Sequence, residues 1–129
     1  MNRLLSLCYA ALWCCMVSCA QNGYKSVGAE EFERALTADS AQLLDVRTAE
    51  EFGEYHIKGY NVKNIDIKQS DFAEKANAVL NKRYPVAVYC RSGRRSLTAA
   101  DELVKAGYKV LNLRGGIIEW KEYKDGKKE

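Results

Sequence analysis

Three brief aliphatic runs, QLLDV (42–46), VAVYC (86–90) and KVLNL (109–113), each close on a polar turn. They are continuously apolar rather than alternating, so both faces of each run need cover, as in strands buried inside a parallel sheet. Parallel neighbours cannot be joined by a tight hairpin; the chain has to cross over, usually through a helix. The intervening segments supply such helices. Phe32, Ala35 and Leu36, then Phe72, Ala76, Val79 and Leu80, then Leu97, Ala100, Leu103 and Val104 recur at helical spacing. YKSV (24–27) and KNIDI (63–67) read as two weaker strands. Thr48 with Glu51 makes a capping-box pattern, Ser70 is placed to cap the Phe72 helix, and Gly107 stands where the Leu97 helix should stop. The expectation is an α/β fold in one domain, a mostly parallel sheet with helices on both faces. A chain of 129 residues has no room for a second domain.

The first twenty residues do not share this pattern. Arg3 is the only charge before Lys25, and LLSLCYAALWCCMVSCA (4–20) follows it. A short positive start before an apolar stretch predicts a signal peptide over residues 1–19 and a folded domain over 20–129. The segment MVSC, Met16 to Cys19, resembles a bacterial lipobox, which makes Cys19 the expected lipidation site. Ordinary cleavage after Ala20 and an uncleaved anchor are the alternatives. All three export the domain, and the expected setting is the periplasm or cell envelope, lipid-anchored to a membrane. Cys8, Cys14 and Cys15 then leave with the signal, and Cys90 is the one thiol of the exported domain, without a disulfide partner. Loss of Arg3 leaves 19 Lys and Arg against 17 Asp and Glu, a balance too mild for a nucleic-acid partner.

Cys90 ends an apolar run, and Arg91, Ser92, Gly93, Arg94, Arg95 and Ser96 follow it into a helix. A sulfur at a strand–turn–helix junction faces backbone N–H groups and the positive end of the helix, both of which stabilise an anion. Gly93 opens turn conformations closed to other residues, and the arginines add positive charge, so the thiolate is favoured. Such a loop suits phosphoryl or arsenyl transfer, or transfer of sulfur held as a persulfide. Cysteine phosphatases place an arginine six residues after the cysteine; here that position is Ser96 and the last arginine is Arg95. The loop is one residue short of the phosphatase pattern, which favours a cradle for one sulfur atom over a phosphatase or arsenate reductase.

CRSGRRS (90–96), LLDVRTAEEF (43–52) with HIKG (56–59), and LNLRGGIIEW (111–120) together resemble the single-domain rhodanese sulfurtransferases, over Tyr24 to Tyr123. The resemblance implies the rhodanese-like α/β fold and a sulfurtransferase. A sulfane sulfur would pass from thiosulfate or a persulfide donor, through a Cys90 persulfide, to a thiophilic acceptor such as a small or protein thiol. A sulfur-carrier or protein-docking module with little turnover is the alternative. The resemblance implies no cofactor or metal, and a monomer is expected. Cys90 matches the nucleophile and residues 91–96 the persulfide-binding loop, with Arg91 and Arg95 at positions that can hold an anionic donor. Asp45 is expected to brace that loop, and Arg47 to pair with Glu50 or Glu51. After HIKG the sequence departs from the family pattern, with Tyr60 and two extra residues before the next strand. His56 reads as a turn residue bonded to backbone, Ile117 and Trp120 as sheet packing, Gly115 and Gly116 as the turn into a last short helix, and KDGKKE (124–129) as a solvated tail.

Overall fold

In the computed structural model, which describes residues 23–128, the aliphatic runs form the middle of a five-stranded, all-parallel sheet. The strands are β1 (Tyr24–Val27), β2 (Gln42–Asp45), β3 (Val62–Asn64), β4 (Val86–Tyr89) and β5 (Val110–Leu113). Their order across the sheet is β1-β5-β4-β2-β3. The helices are α1 (Ala29–Ala38), α2 (Ala49–Glu54), α3 (Phe72–Val79), α4 (Arg94–Lys105) and α5 (Gly116–Lys127). The signal-peptide and Cys19 expectations fall outside the described residues.

Side chains alternate across β4. Val86, Val88 and Cys90 join a core with Phe72 and Ala76 of α3 and Ala99, Ala100 and Leu103 of α4. Ala87 and Tyr89 join the opposite core with Phe32 of α1 and Ile117 and Trp120 of α5. All four β4 residues are buried, as a doubly covered strand requires. Phe32 meets Trp120 edge-on with ring centroids 6.2 Å apart, and Tyr60, in the longer connection after HIKG, does so at 6.4 Å. Burial of side chains the size of Phe32 contributes about 1.5–3 kcal/mol each.

The structure corrects several local expectations. Val79 is 46% exposed, because α3 ends there and the chain turns Leu80 inward instead. Leu97 is 40% exposed; the buried stripe of α4 is Ser96, Ala99, Ala100 and Leu103. The helix starts directly above Cys90, which points Ser96 at the sheet, and these small side chains suit a helix packed close to it. Ser70 caps nothing: the turn before α3 closes by a backbone bond from Phe72 to Gln69, and Asp71 is the N-cap residue. β3 begins at Val62, one residue before the expected strand, and ends at Asn64. The Ile65 and Ile67 amides still bond to the carbonyls of Asp45 and Val46. The Thr48–Glu51 capping box is present. Gly107, at φ 101°, closes α4 in a Schellman arrangement, its own amide bonding to Val104 and that of Tyr108 to Leu103.

The C-terminal segment is solvated as expected, but it continues α5 to Lys127. Lys124, Lys127 and Tyr123 of α5 all donate to the Glu33 carboxylate of α1. Burial alone raises the Glu33 pKa, but those donors outweigh it and hold the carboxyl down at about 2. A group whose folded pKa lies below its unfolded value, about 4.3 for Glu, stabilises the fold fully above that value and loses its effect as pH falls toward the folded one. Wild-type stability should therefore decline between about pH 4.5 and 2. Glu33→Gln should flatten part of that decline in acid-unfolding curves followed by circular dichroism; an unchanged acid slope would refute this assignment.

Candidate active site

Cys90 leaves the end of β4 on the α4 side of the sheet, and the chain immediately turns back over it. Gly93 makes that turn: its φ of 95° lies in the left-handed region open to glycine, and it is the N-cap residue of α4. The Gly93 amide thereby points at the sulfur and donates to Cys90 Sγ at 3.1 Å. Ser96 Oγ, one turn into α4, lies 3.4 Å from the same sulfur. Cys90 is 1% exposed, so burial pushes its thiol pKa up. Hydrogen bonds from the Ser96 hydroxyl and from the amides of Ser96, Gly93 and Ser92 more than offset that, and the net shift is downward, toward the thiolate. Arg91, Ser92 and Arg94 form the exposed rim.

The same loop is gripped from behind by the junction of β5 and α5. Gly116, at φ 64°, brings its Cα so close that an added Cβ would lie 2.3 Å from the Arg91 carbonyl oxygen and 2.7 Å from that of Cys90. The next two amides bond to those carbonyls, Ile117 N to Cys90 O at 2.9 Å and Ile118 N to Arg91 O at 3.3 Å. Gly93 packs equally tightly on the Arg114 carbonyl. Glu119 accepts from the amides of Gly115 and Ala29, tying the starts of α5 and α1 together. With the loop carbonyls held outward, its amides are free to face the sulfur. The glycine pair is more than a turn into the helix: two adjacent glycines at a strand–helix junction signal close backbone approach. Nothing local marked Glu119.

The charged residues pair differently from expectation. Arg47 bonds to Asp45, through Nε at 3.1 Å and Nη2 at 2.7 Å, and not to Glu50 or Glu51. Asp45 is fully buried two residues earlier, and a buried carboxylate requires the nearest cation. Asp45 consequently holds Arg47, not the Cys90 loop as expected, and Arg47 passes the connection on through Nη2 to the Tyr55 carbonyl at 2.6 Å. Glu51 instead binds Arg95 in a two-pronged pair at 2.7 and 2.9 Å. Arg95, with some help from Thr48, overcomes partial burial and keeps the Glu51 carboxyl at about 2. Arg95 is thus tied to α2. Arg91 and Arg94 have no side-chain partner among the described residues.

Other tempting groups lie elsewhere. His56 Nδ1 donates to the Phe52 carbonyl at 3.0 Å and its ring stacks on Phe52 at 4.1 Å. The Tyr89 hydroxyl accepts from the Ile57 amide at 3.2 Å, and burial, reinforced by the Asp45 charge, raises its pKa so that it stays neutral. Trp120 is buried in the α1–α5 core.

Comparison with known proteins agrees with this geometry. The family description "Rhodanese-like domain" matches residues 28–123. The chain is 37% identical over 100 residues to thiosulfate sulfurtransferase 18 of Arabidopsis thaliana, covering 70% of this chain and 74% of that one. It is 34% identical over 96 residues to a Bacillus subtilis protein named as a candidate sulfur carrier, covering 73% of this chain and 49% of that one. A solved rhodanese-related protein from Thermoplasma volcanium superposes with a TM-score of 0.66 at 32% identity, over 78% of this chain and 93% of that one.

Proposed function

The chain belongs to the rhodanese-like family, and from that premise we propose that it is a sulfurtransferase whose Cys90 takes a sulfane sulfur from thiosulfate or a persulfide and passes it to a thiophilic acceptor. One observation carries this reading: a buried cysteine sulfur with a lowered pKa, ringed by amides at the carboxyl end of a parallel sheet. In the first half-reaction the Cys90 thiolate attacks the outer sulfur of thiosulfate. The new bond joins Sγ to that sulfur, the S–S bond of the donor breaks, and its electron pair leaves with sulfite. The persulfide anion so formed has its charge spread onto an atom beside the amides of Ser92, Gly93 and Ser96, which would stabilise it. In the second half-reaction the acceptor attacks the outer sulfur, and Cys90 returns to thiolate. The lowered Cys90 pKa favours the thiolate that the first half-reaction uses. With Cys90 1% exposed, a donor must present a slim projecting atom, which a sulfane sulfur is.

The pairing of Arg95 with Glu51 argues against phosphoryl transfer, since the last arginine of the loop is held on α2 rather than free to wrap a tetrahedral dianion. The Bacillus subtilis relative favours one further reading, a carrier that accepts sulfur but releases it only to a protein thiol. Intact-mass measurement of the purified protein after thiosulfate treatment tests the proposal, with addition of cyanide separating the two readings. A gain of one sulfur atom that cyanide discharges as thiocyanate, with turnover, supports the transferase. A gain without turnover supports the carrier, and no gain with thiosulfate or a persulfide donor refutes both.

A further inference from the structure

Beside the Cys90 loop, a cleft of about 240 Å³ opens between α2 and the start of α5. Arg47, Tyr55, Arg91, Ile117 and Lys121 contribute to its wall, with Glu54. Arg47 is the unusual member. It is 5% exposed, and its Nε and Nη2 are engaged by Asp45 and Tyr55, which leaves Nη1 without a partner among the described residues. Nη1 is not sealed from solvent, and so remains the one part of this buried guanidinium open to a ligand. The Lys121 ammonium lies 4.2 Å from the centroid of the Tyr55 ring and has no carboxylate partner among the described residues; Arg91, exposed at the rim, has none either. On the acidic side, Glu51 is neutralised by Arg95, which leaves Glu54 as the one uncompensated carboxylate. Cations outnumber it. The amides of Ile117 and Ile118 are spent on the loop carbonyls, so an anion here would be held by side chains.

Resting on the sulfurtransferase reading, we propose that this cleft holds the carboxylate of a small thiol acceptor, with Arg47, Arg91 and Lys121 as its recognition groups. Arg91 belongs both to the cleft wall and to the sulfur-binding loop, so a ligand seated there lies against the loop. Ile117 and Tyr55 offer apolar surface to the methylenes between carboxylate and thiol. The acceptor thiolate attacks the outer sulfur of the Cys90 persulfide. An S–S bond forms on the acceptor, the Sγ–S bond breaks, and its electron pair stays on Sγ; no outside oxidant or reductant enters. Cyanide, which carries no such handle, gains nothing from the cleft.

Two measurements test this, and they fail independently. In the first, the unloaded protein is titrated with methylthiopropionate, which cannot accept sulfur, and with its neutral alcohol analogue, in nitrogen–proton correlation spectra. Saturable shifts of the Arg47 Nε–H and Ile117 amide signals with the carboxylate alone, weakened about tenfold in Lys121→Glu, are expected for loss of one charge-assisted contact. No shift, or equal shifts with the alcohol, overturns the proposal whether or not Cys90 carries sulfur. In the second, persulfide-loaded protein is discharged by mercaptopropionate and by mercaptoethanol at matched thiolate concentration. The wild type should prefer the carboxylate about tenfold, and Lys121→Glu should largely erase that preference. A ratio near one in the wild type overturns the inference while leaving the persulfide intact. Failure to load sulfur at all strikes the sulfurtransferase reading instead and leaves the titration to decide this one.

Discussion

Cys90→Ala protein treated with thiosulfate is expected to keep its mass, and thiocyanate formation should fall by about a thousandfold or more, the scale seen when a covalent nucleophile is removed. Among the described residues Ser96 is the only side chain bonded to Sγ, and its hydroxyl lacks the nucleophilicity of a thiolate. The loss should be chemical rather than structural. Cys90 sits in the core shared with α4, so the substitution removes one buried sulfur, and its neighbours Ala99 and Ala100 are small; the cost in stability is about 1 kcal/mol. An unfolding midpoint within a few degrees of wild type, measured beside the lost activity, would separate the two. Retained turnover in a folded Cys90→Ala protein would end the persulfide mechanism.

The second large effect is expected from one added methyl group. Gly93→Ala puts a Cβ 2.0 Å from the Arg114 carbonyl oxygen at a φ of 95°, and Gly116→Ala puts one 2.3 Å from the Arg91 oxygen at a φ of 64°. Both clashes are with backbone, which cannot swing aside as a side chain would, and both conformations strain any L residue. Each variant should lose about 3 kcal/mol or more in denaturant unfolding and most of its sulfur transfer, because the loop amides can face the sulfur only while the two glycines let the β4 and β5 turns touch. Gly53→Ala is the control. Open space surrounds that position on α2, and the same methyl should be neutral or stabilise by about 0.5–1 kcal/mol. Wild-type stability in Gly93→Ala and Gly116→Ala would show that the two turns are not in contact in solution.

The three buried strands, the helices between them and the cysteine at the end of β4 were legible because each rests on a local signal. Continuous apolar runs mark doubly covered strands, and the Thr48–Glu51 and Gly107 caps obey rules spanning only a few residues. Expectations failed where a choice depended on a partner distant in sequence. Whether Ser96 or Leu97 faces inward depends on where α4 begins, and that is set by the Gly93 turn pressing on Arg114. Which acid pairs with which arginine depends on burial. Asp45 is sealed and takes Arg47, while Glu51, at the edge of α2, reaches across 44 residues of chain to Arg95. The terminal lysines read as a solvated tail, and their pairing with Glu33 was hidden because that partner lies some ninety residues earlier.

Residue order alone therefore determined that this chain makes a parallel α/β sheet and sets one thiol at a strand's carboxyl end, since hydrophobic periodicity and turn chemistry act over a few neighbouring residues. Only the tertiary structure decided which way the thiol's pKa shifts, which arginines stay free and where a cleft opens beside it. Those depend on desolvation and on charges meeting across the fold, and both are created by packing.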